Sequence, residues 1–242
     1  MAESKYGKYI VTDMIVPEEK KAIAYHEAGH TIVGGSLAGL DPVHKVTIIP
    51  RGRALGLTHT LPKEDQLTLS KDKAESMISF LMGGAIAEHI VLGQKTTGAG
   101  NDIERATDLA RRMVCEWGMS DAIGPVNVGK KEGDVFLGRE IHQTRNVSEK
   151  LAETVDAEIR DIIVKNYNRG VEILNKKLDI LHAMANALLE RETLDGPEIE
   201  LLMQGKALPP QTQSGGGIQS GGKGVDAAST VLPIPVPTGE VA

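Results

Sequence analysis

Aromatic residues are scarce in this chain of 242 residues: two Phe, one Trp and four Tyr, 3% in all. A core built without large rings must be filled by aliphatic side chains and closely packed, alanine-rich helices. Cysteine is nearly absent. Cys115 stands alone, which excludes an internal disulfide and fits a reducing compartment. No run approaches the roughly 20 uninterrupted apolar residues of a membrane span, and the N-terminus lacks the apolar centre of a signal peptide. Basic residues are outnumbered, with 27 Lys and Arg against 33 Asp and Glu and a net charge of −6. That balance gives no basic face for a nucleic acid, and no such partner is expected. The loop G-x-x-x-x-G-K-[ST] that cradles nucleotide phosphates is missing as well.

What remains is a helical sequence with one concentrated motif. Pro17-Glu18-Glu19 opens a helix, with proline early and acids in the first turn. It is expected to run to about Gly39, with Ala22, Ile23, Ala28, Ile32, Val33 and Leu37 on its apolar face. Gly29, Gly34 and Gly35 each cost a helix about 1 kcal/mol relative to Ala, so they mark places where another backbone comes close, near a metal. Two strands, Val43–Ile49 and Leu55–Leu61, joined through Pro50-Arg51-Gly52-Arg53 and ended by Pro62, form a hairpin. Ser70 caps a helix to Leu92 with Gly93 as its stop, and Gly83-Gly84 inside it predicts close helix packing. After the small-residue loop 94–100, a helix begins near Asn101 and ends at Trp117, with Ile103, Ala106, Leu109, Ala110, Met113 and Val114 facing inward. Residues 118–143 are irregular. A long helical pattern starts near Asn146, followed by Leu178–Leu189 and a short helix from Gly196-Pro197 to Met203. The chain then turns to Gly, Ser and Pro. Residues 1–16 read as a lead-in, 17–207 as the folded domain and 208–242 as a disordered tail. The fold class is mainly α, with a small β-hairpin and a C-terminal helical bundle.

The motif is His26-Glu27-Ala28-Gly29-His30, H-E-x-x-H within the first helix. Residues four apart share a helix face, so both imidazoles reach one metal ion. Glu27 points about 100° round the helix, beside the metal, where a base is needed to take a proton from water. The bland alternative is a surface helix that carries two histidines. A catalytic zinc takes three protein ligands and leaves one position open. Val33 and Ser36 occupy the positions at which an extended H-E-x-x-H-x-x-G-x-x-H motif would carry its glycine and third histidine. The third ligand therefore lies among Glu88, His89, Asp102 and Glu104, and spacing alone does not choose. An aspartate in a first helical turn is more often a cap or a dipole partner than a ligand.

The chain resembles the peptidase domain of the FtsH family, membrane-anchored ATP-dependent zinc metalloproteases of the AAA+ type. The resemblance is carried in order by Ala24-Tyr25 with the motif, Ile49-Pro50-Arg51-Gly52, Ala54-Leu55-Gly56, Gly83-Gly84 with Ala87-Glu88, and Thr97-Gly98-Ala99-Gly100-Asn101-Asp102-Ile103. It continues with Ala106-Thr107, Ala110-Arg111, Trp117-Gly118-Met119-Ser120, Phe136-Leu137-Gly138-Arg139 and Glu192-Thr193-Leu194. It spans roughly residues 15–205.

The resemblance implies a zinc endopeptidase with one Zn2+ per chain, held by His26, His30 and Asp102, with Glu27 as general base. Glu88 then supports a ligating histidine. The family usually has a second acid after Glu88, where this chain has His89, so His89 is expected to be a surface or structural residue and not a ligand. Along Leu55, Gly56, Leu57 and Thr58, a strand of the hairpin could pair with an extended, unfolded polypeptide substrate. Family members form six-membered rings and carry an ATPase module and transmembrane helices on the same chain, with the peptidase on the cytoplasmic side or its organelle equivalent. The unit seen here is expected to be soluble alone and to lack that motor. Two other readings compete: a hexameric assembly platform with weak proteolysis, whose long helices at 146–203 serve association, and a metal-dependent hydrolase of a non-peptide substrate. His44, His59, His142 and His182 are expected to be solvated or structural, and Cys115 a buried small hydrophobe. The charge runs at 149–161 and 172–177 are solvated helix faces.

Overall fold

The computed structural model describes residues 16–50, 56–60, 68–128 and 148–210. The lead-in before Val16, the hairpin connection, Leu55, Phe136-Leu137-Gly138-Arg139, His142 and the tail from residue 211 lie outside the described residues. Among those described, six α-helices and three short strands follow in the order α1 (Pro17–Ser36), β1 (Val43–Thr47), β2 (Leu57–Thr60), α2 (Lys71–Leu92), α3 (Gly100–Cys115), α4 (Glu149–Lys176), α5 (Leu178–Arg191), β3 (Thr193–Asp195) and α6 (Gly196–Met203). The fold is mainly α, as the composition and periodicity predict.

Helix α1 begins on Pro17 with Glu18 and Glu19 in its first turn. It ends at Ser36, three residues before the expected Gly39. The physical reason is Leu37, which leaves the helix with extended backbone (φ −104°, ψ 130°) and buries its side chain. Gly39, at φ +85°, belongs to the turn beyond. From Ala24 to Gly34, α1 is buried on nearly every side, so the expected single apolar face understates it.

Helix α2 has the caps foreseen for it. The Ser70 hydroxyl accepts the Lys73 N–H at 3.2 Å, and Gly93 closes the helix in the left-handed region at φ 64°. By length and composition it could cross a membrane, yet 61% of its apolar window is buried inside the domain. It packs on α1, α3 and α4.

The crossing of α1 and α2 is a glycine-on-glycine contact. A Cβ at Gly29 would run into the carbonyl oxygen of Gly83, and a Cβ at Gly83 would stand 2.8 Å from the carbonyl oxygen of Gly29. The backbones therefore approach more closely than any other residue pair would permit. Gly35 does not follow this pattern: it is exposed, and meets only the mobile end of Met203 at 3.1 Å.

The strands form one antiparallel sheet in the order β2-β1-β3. Thr47 stands opposite Leu57 on one side and Thr193 on the other; Val46 stands opposite Thr58 and Leu194. Strand β3 was not foreseen, because three residues are too short to show alternation. It is fixed from α5. Glu192, the C-cap, sits at φ 60°, and its carbonyl accepts the Ile48 N–H at 3.0 Å and the Thr47 hydroxyl at 3.1 Å. Lys20 on α1 holds the Glu192 carboxylate at 2.7 Å. Asp195 and Glu198 then form a capping box that starts α6.

Helix α3 buries Ala106, Ala110, Met113 and Val114 as expected, but Ile103 is 46% exposed. Ile103 sits in the first turn, beside Asp102, before the helix reaches its packed neighbours. Cys115 is buried, in line with its expected role as a small hydrophobe. Helix α4 starts on the Ser148 cap and is keyed to α2 by Ser79, whose hydroxyl donates to Asn166 Oδ1 at 3.1 Å. Asn166 in turn donates to the Ile162 carbonyl at 2.8 Å.

Gly29→Ala is expected to destabilise the domain by roughly 2 kcal/mol or more, because overpacking against backbone outweighs the gain of about 1 kcal/mol in helix propensity. Gly35→Ala should be neutral or stabilising. Urea unfolding of both variants checks the opposite signs, and equal effects would remove the crossing as the cause.

Candidate metal centre

The α1–α2 crossing sets the site. His26 and His30 lie one turn apart on α1, and α2 runs across them. Gly84 leaves room for the His26 ring, since a Cβ there would come within 2.5–2.6 Å of three ring atoms. His26 Nδ1 lies 2.6 Å from Glu88 Oε1, and His30 Nδ1 lies 2.8 Å from the Phe80 carbonyl oxygen. Both partners can only accept, so each imidazole carries a proton on Nδ1. In the neutral ring, Nε2 is then left as a lone-pair donor.

Those two Nε2 atoms face each other at 3.0 Å. Asp102, in the first turn of α3, brings Oδ2 to 3.2 Å from His26 Nε2 and 3.3 Å from His30 Nε2. Three lone-pair atoms thus form a nearly equilateral triangle. Tetrahedral zinc with bonds of about 2.0–2.1 Å would separate its ligands by about 3.3–3.4 Å. The donor set, two imidazoles and one carboxylate, is also one that zinc takes. The residues present fit the ion.

The charges tell the same story. Burial opposes a proton on the His26 ring, but its hydrogen bonds to Asp102 and Glu88, with the charges of Glu27 and Glu88, outweigh burial and push its pKa up to about 9. Burial alone would raise the Asp102 carboxyl; its bonds to His26 and His30 prevail and hold it well below the usual carboxylate range. Glu88 is likewise lowered, by His26 and Thr96 against burial. In the metal-free domain the second proton of the His26 ring, on Nε2, thus answers Asp102 where a cation would sit.

Of the four residues left open as third ligand, Asp102 completes the triangle and Glu88 backs His26. His89 and Glu104 are exposed. Glu27 is 6% exposed and lies against the start of β2. Its Oε2 accepts the Thr58 hydroxyl at 2.6 Å, and a Cβ on Gly56 would stand 2.5 Å from its Oε1. Leu57 is partly buried opposite Thr47. His44 and His59 are exposed, and His182 is paired through Nδ1 with the Tyr25 hydroxyl at 2.9 Å.

Two contributors were not read from the sequence. The Thr96 hydroxyl donates to Glu88 Oε2 at 2.7 Å and accepts the Gly98 N–H at 3.2 Å, joining the loop before Asp102 to the partner of His26. A threonine two residues before a glycine at a helix entry is a capping signal present in the sequence itself. The Phe80 carbonyl carries no signal, since backbone groups are the same at every residue.

A helix presenting two histidines and a glutamate, closed by an aspartate from a separate helix, defines a metallopeptidase-type site. The sequence matches the model of Peptidase family M41 over residues 13–202, and the chain belongs to that family. It is 57% identical over 200 residues to the ATP-dependent zinc metalloprotease FtsH of Magnetococcus marinus, covering 83% of this chain and 30% of that protein. It is 54% identical over 203 residues to the FtsH of Acidobacterium capsulatum, covering 84% and 32%. With FtsH 4 of Sorangium cellulosum the identity is 53% over 198 residues, covering 81% and 31%. The chain thus spans about a third of the length of the curated relatives it matches.

Zinc uptake by the chelator-stripped chain should release a proton, because the His26 ring must be neutral to bind through Nε2. With a metal-free pKa of about 9, affinity should rise about tenfold per pH unit from pH 6.5 to 8.5 and level off near pH 9. Chelator competition across that range checks the slope. A flat profile would show that His26 is already neutral in the metal-free chain.

Proposed function

We propose that this domain is a zinc endopeptidase that cleaves unfolded polypeptides, with His26, His30 and Asp102 as the metal ligands and Glu27 as general base. The observation that carries it is the triangle of Nε2, Nε2 and Oδ2 atoms at 3.0–3.3 Å with the Glu27 carboxylate on the adjoining face of α1. When bound, Zn2+ supplies a Lewis acid that makes water acidic enough to ionise near neutral pH and favours negative charge on the attacked carbonyl oxygen.

The remaining work falls to the chain's own groups. Glu88 and the Phe80 carbonyl hold the two imidazoles in one tautomer and one orientation, so neither must reorganise as charge develops. Glu27 takes the proton of the attacking water on a carboxylate oxygen and returns it to the departing amine nitrogen. Strand β2 lies at the edge of the sheet, and its outer edge has no strand beside it among the described residues. An extended peptide added there would bond to main chain along Gly56, Leu57 and Thr58, continuing toward Leu55. Recognition by main chain favours unfolded chains of many sequences. In a protein as long as the relatives, an ATPase module would deliver such chains. Transmembrane segments would tether the domain to the cytoplasmic side or its organelle equivalent, and six copies would close a ring.

Glu27→Gln should retain one zinc per chain and the parent fold while casein hydrolysis falls by about 10²-fold or more, since the amide cannot accept the proton. Asp102→Ala should lose the metal. Metal analysis and casein cleavage without ATP decide the matter. Full zinc in Asp102→Ala would move the third ligand to Glu88, and activity near the parent in Glu27→Gln would remove the base. A zinc-loaded parent chain that assembles but cleaves nothing would favour a platform.

A further inference from the structure

We propose that Thr58 is the positioning residue of the Glu27 carboxylate, so that the edge strand expected to carry the substrate also aims the base. The proposal rests on the reading of Glu27 as general base. The sequence suggested Thr58 as a substrate contact, but its hydroxyl is already engaged, donating to Glu27 Oε2 at 2.6 Å. Among the described residues it is the one side-chain donor to that carboxylate. Thr31, one turn further along α1, bonds the Glu27 main-chain carbonyl instead, at 2.8 Å.

Gly56 supplies the second half of the arrangement. Gly56 directly precedes β2, and both it and Thr58 face Glu27. A Cβ on Gly56 would stand 2.5 Å from Glu27 Oε1, 2.8 Å from its Cγ and 2.9 Å from its Cδ. The strand thus grips one carboxylate oxygen with a hydroxyl and leaves space for the other by omitting a side chain. Oε2 is the held oxygen and Oε1 the one free to accept a proton. A glutamate has three side-chain torsions, and one short hydrogen bond to a rigid strand removes much of their freedom before substrate arrives.

Strand β2 is itself fixed in register, with Thr58 opposite Val46 and Leu57 opposite Thr47. A peptide paired along its outer edge would lie at a set offset from Thr58. The height of the scissile bond and the direction of Glu27 would then be set by the same short segment, Gly56 to Thr58. A threonine that merely satisfies a buried carboxylate would matter for stability alone; one that aims the base must appear in turnover.

The test compares Thr58→Val, which keeps the β-branched shape and removes the hydroxyl, with Thr58→Ser, which keeps the hydroxyl. Labelled casein serves as substrate, with Glu27→Gln as control. Thr58→Val should keep the parent's zinc content while kcat falls about 10- to 100-fold and KM stays within about twofold. Thr58→Ser should recover kcat to within about threefold of the parent. Parent-like kcat in Thr58→Val beside an inactive Glu27→Gln would overturn the proposal and leave the base intact. An active Glu27→Gln would instead overturn the base assignment. A raised KM with unchanged kcat would return Thr58 to substrate contact, and loss of zinc would place its effect on the metal; either result overturns the proposal. Should Thr58→Val fail to fold, Gly56→Ala probes the same geometry. It should lower kcat with zinc retained, and parent-like kcat there would overturn the proposal.

Discussion

The approach of Gly29 to Gly83 is the constraint on which the rest of the site depends. These two residues put α1 and α2 in backbone contact, and the neighbouring positions then fall into place in antiparallel order. Phe80 meets His30, Gly84 lies over the ring of His26, and Glu88 reaches its Nδ1. Side chains of ordinary size at the crossing would separate the axes by an ångström or more, and hydrogen bonds of 2.6–2.8 Å do not survive that. The glycines are costly in helix propensity, and the cost is recovered in the fixed geometry of two imidazoles.

Fixing the imidazoles is useful because each is held by its far nitrogen. Glu88 and the Phe80 carbonyl accept from Nδ1 and leave Nε2 pointing into a shared space with Asp102. Polar groups this buried ordinarily satisfy one another. Here three acceptor-type atoms converge instead, and only a proton or a metal cation answers them. That is a destabilising arrangement in isolation, and the aliphatic core around α1 and α2 carries it.

The motif, the helices and their caps could be read in the sequence because they depend on neighbours within one turn. Ser70, Gly93 and Pro17 act where they stand. The proposed third ligand could not be chosen locally: Asp102 lies 76 residues from His26, and its spacing resembles that of any first-turn aspartate. Family resemblance, not periodicity, pointed to it, and the geometry brings it to the histidines. The exposure of Ile103, the early end of α1 at Leu37 and the strand Thr193–Asp195 share one cause. Each is decided by where other elements pack, and each contradicts or lies below the resolution of a local pattern. Thr58 is the most instructive case, since its place on the strand was foreseen but the direction of its hydroxyl was not.

That direction is backed by a relay of contacts that passes through the end of α5. Lys20 on α1 holds Glu192 at the end of α5, and the Glu192 carbonyl bonds both Ile48 and Thr47. Thr47 also meets the Thr193 hydroxyl at 2.8 Å, fastening β3 to β1. Strand β1 carries β2 in register on its other side, and β2 delivers Gly56 and Thr58 to Glu27. The relay begins on α1 and returns to it, from Lys20 to Glu27, two turns along the same helix. The small three-stranded sheet buries Val46 and Leu194 in the core, and it also closes a loop of contacts around the helix that bears the histidines. Among the described residues, no strand lies beside the outer edge of β2.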